Sequence, residues 1–259
     1  MTDDEVFQSQ CQSEIEILGR DSALQQLSRD WLAIAQQRNY SYHFRWLGLP
    51  IIQYPQDIVA MQELIWQIQP DLIVETGVAR GGSLIFSASM LALLDLCAAN
   101  RTEEASRPTS HRRRVVGIDI DIRAHNREAI EAHPLSSYIT LIEGSSTAQH
   151  VCDAVHKIAR DSQVVLVCLD SNHSHDHVLA ELEAYAPLTS IGSYCVVFDT
   201  VVEDLPPEAI GNRPWSRGDS PKTAVHEYLR SHPEFVIDKT IDSKLLISVA
   251  PDGYLKRIR

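Results

Sequence analysis

Within eight residues, Asp170-Ser171-Asn172-His173-Ser174-His175-Asp176-His177 carries two aspartates and three histidines. Further on, Val197-Phe198-Asp199-Thr200 offers another carboxylate. Each group closes an apolar run, so both stand at the ends of strand candidates. Carboxylates on adjacent strand ends can share a hard divalent cation, which takes oxygen ligands and keeps several waters. Asp170 and Asp199 are therefore candidate ligands for magnesium or manganese. A histidine three residues past the first carboxylate reaches the same cleft as a general base. That makes His173, with Asp170, the candidate catalytic pair. His175 and His177 fall at the start of the next helix, where a surface or capping role is the ordinary one.

A second constellation lies upstream, in Glu75-Thr76-Gly77-Val78-Ala79-Arg80-Gly81-Gly82-Ser83. Its glycines let a backbone turn sharply and approach a ligand with no Cβ in the way. Ser83 falls in the first turn of the following helix, where free N–H groups and a hydroxyl can hold a carboxylate. The spacing G-x-x-x-G-G is not the dinucleotide fingerprint, which argues against a nicotinamide dehydrogenase. Asp119 ends the next apolar run and is placed to accept hydrogen bonds from two ribose hydroxyls; Asp121 reads as a helix cap. Gly144-Ser145-Ser146 can lie against an adenine ring. The candidate cofactor contacts are Glu75, Gly77, Gly81, Ser83, Asp119, Ser145, Ser146 and Asp170.

Such groups need a frame that brings strand ends together. Apolar strand candidates occur at 72–75, 115–119, 139–142, 164–170 and 194–199, separated by helical segments at 82–96, 124–132, 148–159 and 174–185. Runs apolar on both faces and alternating with helices predict a parallel sheet covered on both sides. Two helices precede it. The spacing of Leu24, Leu27, Trp31 and Ile34 predicts one over 21–37, and Ile58, Met61, Leu64, Ile65 and Ile68 predict another after Pro55. A helix at 223–230 and strands at 235–240 and 244–249, joined by a turn at 241–243, are expected to finish the chain. The predicted fold is a doubly wound α/β sheet of the Rossmann-like kind. It has seven mostly parallel strands ending in an antiparallel hairpin. Residues 1–45 form an N-terminal helical extension and 46–259 the cofactor-binding domain.

The chain has 259 residues, 44% of them apolar and 22% charged, and a net charge of −12. That charge repels phosphate backbones and anionic membranes, so neither nucleic acid nor a membrane is an expected partner. The basic cluster His111-Arg112-Arg113-Arg114 reads as a solvated loop within a polar insertion over 100–114. The five cysteines are scattered, with no C-x-x-C pair, which fits reduced thiols in a cytoplasm. There is no run of about 18 apolar residues, and the acidic start is no signal peptide. The apolar faces of the early helices need covering, so a homo-oligomer is expected.

The Glu75-Thr76-Gly77 and Gly81-Gly82-Ser83 loop resembles that of metal-dependent O-methyltransferases of the catechol type. Five βα units closed by a hairpin is also the methyltransferase variant of the fold. More closely, Trp46-Leu47-Gly48-Leu49-Pro50, Pro55-Gln56-Asp57, the loop from Glu75 to Ser83, the run from Leu169 to Val178, and the ending Pro251 to Arg257 resemble the cephalosporin hydroxylase/rhamnosyl O-methyltransferase family. The resemblance implies S-adenosylmethionine as cofactor, Asp170 and Asp199 as metal ligands and His173 as base. It implies methyl transfer to a hydroxyl of a small acceptor, a sugar or phenol. Residues 204–220, with Arg213, Trp215 and Arg217, are the expected lid. Where relatives have Glu-Asp this chain has Phe198-Asp199, which removes one carboxylate. That loss raises the alternative of a non-catalytic S-adenosylmethionine-binding protein, and the family's name implies another, a hydroxylase-associated component of a biosynthetic pathway.

Overall fold

Helices α1 (Asp3–Arg20) and α2 (Ser22–Gln36) open the chain in a computed structural model that describes residues 1–101 and 113–259. Most of the polar insertion, including His111 and Arg112, lies outside the described residues. Thr2 and Glu5 form a capping box on α1, and the Asp21 carboxylate accepts from the Ala23 and Leu24 N–H groups at the head of α2. The expected inward face of α2 is corrected by one residue. Ser28, Leu32 and Ala35 are buried, while Leu27 and Ile34 are 64% and 65% exposed. Ser28 is tolerated inside because its hydroxyl donates to the Leu24 carbonyl at 2.9 Å. The helix rotation is set from outside it: Trp31 packs edge-on against Tyr40 and Tyr54, at 5.1 and 6.0 Å.

A two-residue ladder, Arg45–Trp46 with Leu49–Pro50, leads into α3 (Pro55–Ile68), which has Pro55 in its first turn. Then the alternation begins: β1 (Leu72–Thr76), α4 (Gly82–Arg101), β2 (Arg114–Asp119), α5 (Ala124–Glu131), β3 (Ile139–Glu143), α6 (Gln149–Ala159), β4 (Val165–Leu169), α7 (His175–Tyr185) and β5 (Tyr194–Val197). The chain ends with α8 (Pro207–Ile210), α9 (Pro221–Tyr228), β6 (Phe235–Ile237), α10 (Lys239–Leu245) and β7 (Tyr254–Arg257). Strand order is 3-2-1-4-5-7-6. The first five strands run parallel, and β7 inserts antiparallel between β5 and β6. One face buries Ile73, Val115, Leu166 and Val196 under α3 and α4. The other buries Val74, Val116, Val167 and Cys195 under α6, α7 and α9. Over Gly82–Asn100, α4 has a mean hydropathy of 1.8, long and apolar enough by composition to cross a membrane. Its Leu84, Ile85, Ala88 and Leu91 are instead fully buried in the fold, as expected of a sheet-covering helix.

The terminal hairpin differs from expectation. Residues 239–245 are helical, not the end of a strand, because the Asp238 carboxylate caps them through the Thr240 N–H. The apolar run at 244–249 makes no strand either. Its polar groups go to Asp57, whose carboxylate accepts from Ser248 Oγ at 2.6 Å and the Val249 N–H at 3.0 Å. The partner strand is Tyr254–Arg257, a short run that a buried tyrosine hydroxyl also ties to Asp57, at 2.9 Å.

Candidate active site

Strand register builds the site. Thr76 is level with Ile118 and Leu169, and Leu169 with Val197. Gly77, Asp119, Asp170 and Phe198 therefore leave the sheet as one row, at the carboxyl edge where open α/β sheets hold ligands. Gly77 turns at φ 90°, and a Cβ there would stand 2.1 Å from the Asp170 carbonyl. The first loop and the strand end at Asp170 touch backbone to backbone.

A cleft of about 550 Å³ opens above this row, lined by Gly77 to Arg80, Gly82, Ser83, Asp170, His173, Asp199 and the lid. Ligand atoms of Asp170, His173 and Asp199 all lie within 4.8 Å of one another. His173 Nε2 is 3.2 Å from Asp199 Oδ2. Asp199 reaches inward because its backbone turns left-handed, at φ 54°, straight after the strand. Burial, and next the Asp199 carboxylate, hold the Asp170 carboxyl well above the ordinary carboxylate range. Two crowded acids and an imidazole are a donor set that a divalent cation fits, since its charge removes that repulsion.

The expected cofactor contacts divide. Gly77, Ser83 and Asp170 line the cleft. The others stand behind it. Asp119 accepts from the Val78 and Ala79 N–H groups at 2.9 and 3.1 Å and from Asp121 N–H at 3.2 Å, so its carboxylate shapes the first loop. Gly81, at φ 81°, closes that loop against Ile130. Ser145 Oγ pairs with Thr147 Oγ1, and Ser146 is buried with its hydroxyl 3.1 Å from His177 Nε2. Glu75 is 4% exposed and accepts from Ser83 Oγ.

Burial lifts the Glu75 carboxyl from 4.5 to about 7. Between those values the folded chain keeps a proton that the unfolded chain has released, so stability falls as pH rises through the window. Glu75→Gln stays neutral. It is expected to stabilise the fold above about pH 8 by up to about 3 kcal/mol, and to have little effect near about pH 4. Thermal melts with equal shifts at both pH values would contradict this.

Phe198 corrects an expectation. Its ring is 6% exposed, sits in the core and lines a small cavity with Met61, Phe86 and Cys168. It does not line the cleft. Asp170 and Glu75 line the same cavity, so Phe198 stands beside a candidate ligand and offers it no oxygen.

Two groups escaped the sequence reading. Gln53 Nε2 donates to Asp170 Oδ2 at 3.1 Å, and its buried Oε1 has no partner among the described residues. Gln36, Asn39, Ser41 and Tyr42 form a further wall of the cleft. No spacing links Gln53 to an aspartate 117 positions away. The lid reading gains geometry: Trp215 meets the His173 ring edge-on at 4.7 Å, and Arg213 lies over Trp215 at 5.5 Å. Arg217 does not line the cleft.

The chain is similar to known proteins. A family model described as Rhamnosyl O-methyltransferase/CmcI matches residues 38–258. A rhamnosyl O-methyltransferase of Mycobacterium leprae (strain TN) is 26% identical over 216 residues, covering 82% of both chains. One of Mycobacterium bovis (strain BCG / Pasteur 1173P2) is 25% identical over 214 residues, 82% of this chain and 77% of the relative. Among solved structures, CmcI with Mg and SAM superposes with a TM-score of 0.56 at 20% identity, covering 84% of this chain and 78% of that one. That likeness supports the fold. The match along residues 38–258 carries the assignment: this chain belongs to the rhamnosyl O-methyltransferase/CmcI family.

Proposed function

We propose that the cleft transfers the methyl group of S-adenosylmethionine to a hydroxyl of a small acceptor, with a divalent cation at Asp170 and Asp199. The observation that carries this reading is the Asp170–His173–Asp199 cluster at the floor of a cleft whose wall is the glycine loop and the start of α4. When bound, the cofactor supplies an electrophilic methyl and the cation lowers the pKa of an acceptor hydroxyl.

The chain's own residues supply position and a base. The glycine loop and Ser83, at the head of α4, receive the cofactor's amino-acid end. Asp119 and the Ser145–Ser146 turn fix the shape of the nucleoside side. Gln53 orients the Asp170 carboxylate toward the cleft. His173 takes the hydroxyl proton, and Asp199 beside its Nε2 stabilises the imidazolium that forms. Trp215 shields that proton from water and offers an aromatic face to the acceptor. The name of the curated relatives puts a sugar hydroxyl first among acceptors.

The five unpaired cysteines suit a reducing cytoplasm. Phe7, Ile17, Leu27 and Ile34 are exposed on α1 and α2, which supports a homo-oligomer; light scattering at the 29.1 kDa monomer mass would overturn that part.

The test is calorimetry with S-adenosylhomocysteine, combined with anomalous scattering from manganese-soaked crystals. Binding of the nucleoside and a peak between Asp170 and Asp199 are expected. No binding overturns the cofactor reading. An empty cluster together with chelator-resistant transfer overturns the metal.

A further inference from the structure

One face of α7 carries three polar groups that the chemistry above leaves unused: His177, Glu181 and Tyr185, spaced four residues apart along the helix. His177 Nε2 is 3.1 Å from Ser146 Oγ and 3.2 Å from Ser171 Oγ. Ser171 Oγ donates to Glu181 Oε1 at 2.6 Å. Tyr185 Oη donates to the Ser146 carbonyl, which Cys152 Sγ also approaches, at 3.3 Å. Glu181 is 0% exposed; His177 Nε2 lies 3.5 Å from its Oε1, and no lysine or arginine pairs with it among the described residues. Its Oε2 is buried with no partner among those residues.

A buried acid with only an imidazole beside it is costly to keep and needs its hydrogen bonds. Its hydroxyl partner has a place in the site: Ser171 follows Asp170 directly. Since Ser171 gives its proton to Glu181, it faces His177 as an acceptor. The Nε2–H of His177 is then shared between two hydroxyls, one after β3 and one after β4. A helical repeat of four puts all three groups on one side of α7. That side grips the two loops that must agree in position for a nucleoside to lie beside the reacting carboxylate.

We propose that His177, Glu181 and Tyr185 are positioning residues that lock the Ser145–Ser146 turn to the Asp170–Ser171 strand end, setting cofactor affinity without touching the cofactor. This rests on the cofactor reading above, and the experiment separates the two. S-adenosylhomocysteine affinity is measured by calorimetry for the wild type, His177→Ala, Ser146→Ala, the double variant and His177→Gln. His177→Ala and Ser146→Ala should each weaken binding about tenfold, the size of one or two lost hydrogen bonds. The double variant should be no weaker than either single one, because both cut the same link. His177→Gln, which keeps a donor, should recover most of the affinity.

Two outcomes overturn the proposal. One is variants that melt earlier yet bind as the wild type does, which marks a merely structural network. The other is single effects that multiply in the double variant. Should His177→Ala fail to fold, Ser146→Ala and His177→Gln decide alone, with wild-type affinity in Ser146→Ala counting against it. A wild type that binds no S-adenosylhomocysteine sinks the cofactor reading instead.

Discussion

Alanine at position 173 is expected to slow methyl transfer by about 10²–10⁴-fold, the usual contribution of a positioned general base. Affinity for S-adenosylhomocysteine should stay within about twofold of wild type, since the imidazole serves the acceptor. The geometry makes His173 the one imidazole of its crowded segment aimed at the cleft. Its Nε2 meets Asp199 at 3.2 Å, and Trp215 abuts its ring. The neighbouring histidines are committed elsewhere: His175 to Thr223 and Glu227, His177 to Ser146 and Ser171. Single-turnover rates with His173→Ala at saturating cofactor test this. A variant within a few-fold of wild type would move the base to another residue. Loss of cofactor binding alongside activity would mean that the ring supports the pocket rather than the proton transfer.

Gly77→Ala is the second large effect, and it concerns stability. A methyl group at 77 would meet the Asp170 carbonyl oxygen at 2.1 Å and its carbon at 2.6 Å. Both are backbone atoms of a central strand end, so neither can yield as a side chain would. The φ of 90° adds its own penalty for any residue with a Cβ. Collision and strain together should cost about 3–5 kcal/mol, a large share of a typical domain's stability. Gly48 is the internal control: its φ is 100° but nothing stands within 4 Å. Gly48→Ala should therefore show only the backbone term, about 1–2 kcal/mol. Urea unfolding that gives equal losses for the two variants would refute the close contact between the first loop and the catalytic strand.

Much of the frame is legible in the chain because parallel strands buried on both faces leave unbroken apolar runs. Five apolar runs separated by helical segments sufficed for the parallel sheet and placed the polar residues at its carboxyl edge, although the edge strand β3 is only partly buried. The antiparallel end was less legible. Tyr254–Arg257 is four residues long and half polar, whereas the stronger apolar run at 244–249 is drawn out of the sheet by Asp57. That carboxylate lies nearly two hundred positions upstream, and no local pattern announces it. The inward face of α2 was misread for a similar reason, since its rotation answers to Tyr40 and Tyr54.

For the site, residue type and strand position determined that Asp170, His173 and Asp199 could share a cleft, because ends of adjacent parallel strands must be neighbours. The glycine pattern likewise marked where the backbone turns at positive φ, at Gly77 and Gly81. Side-chain direction was decided only by the tertiary structure. The turn at Asp199 swings one carboxylate into the cleft while Phe198, one residue earlier, fills the core. Asp119 faces the first glycine loop, and Gln53 crosses from the chain before α3 to hold Asp170. Sequence spacing carries the periodicity of a strand or helix, but it holds no information on which distant group will satisfy a buried polar atom. That is settled when the layers close.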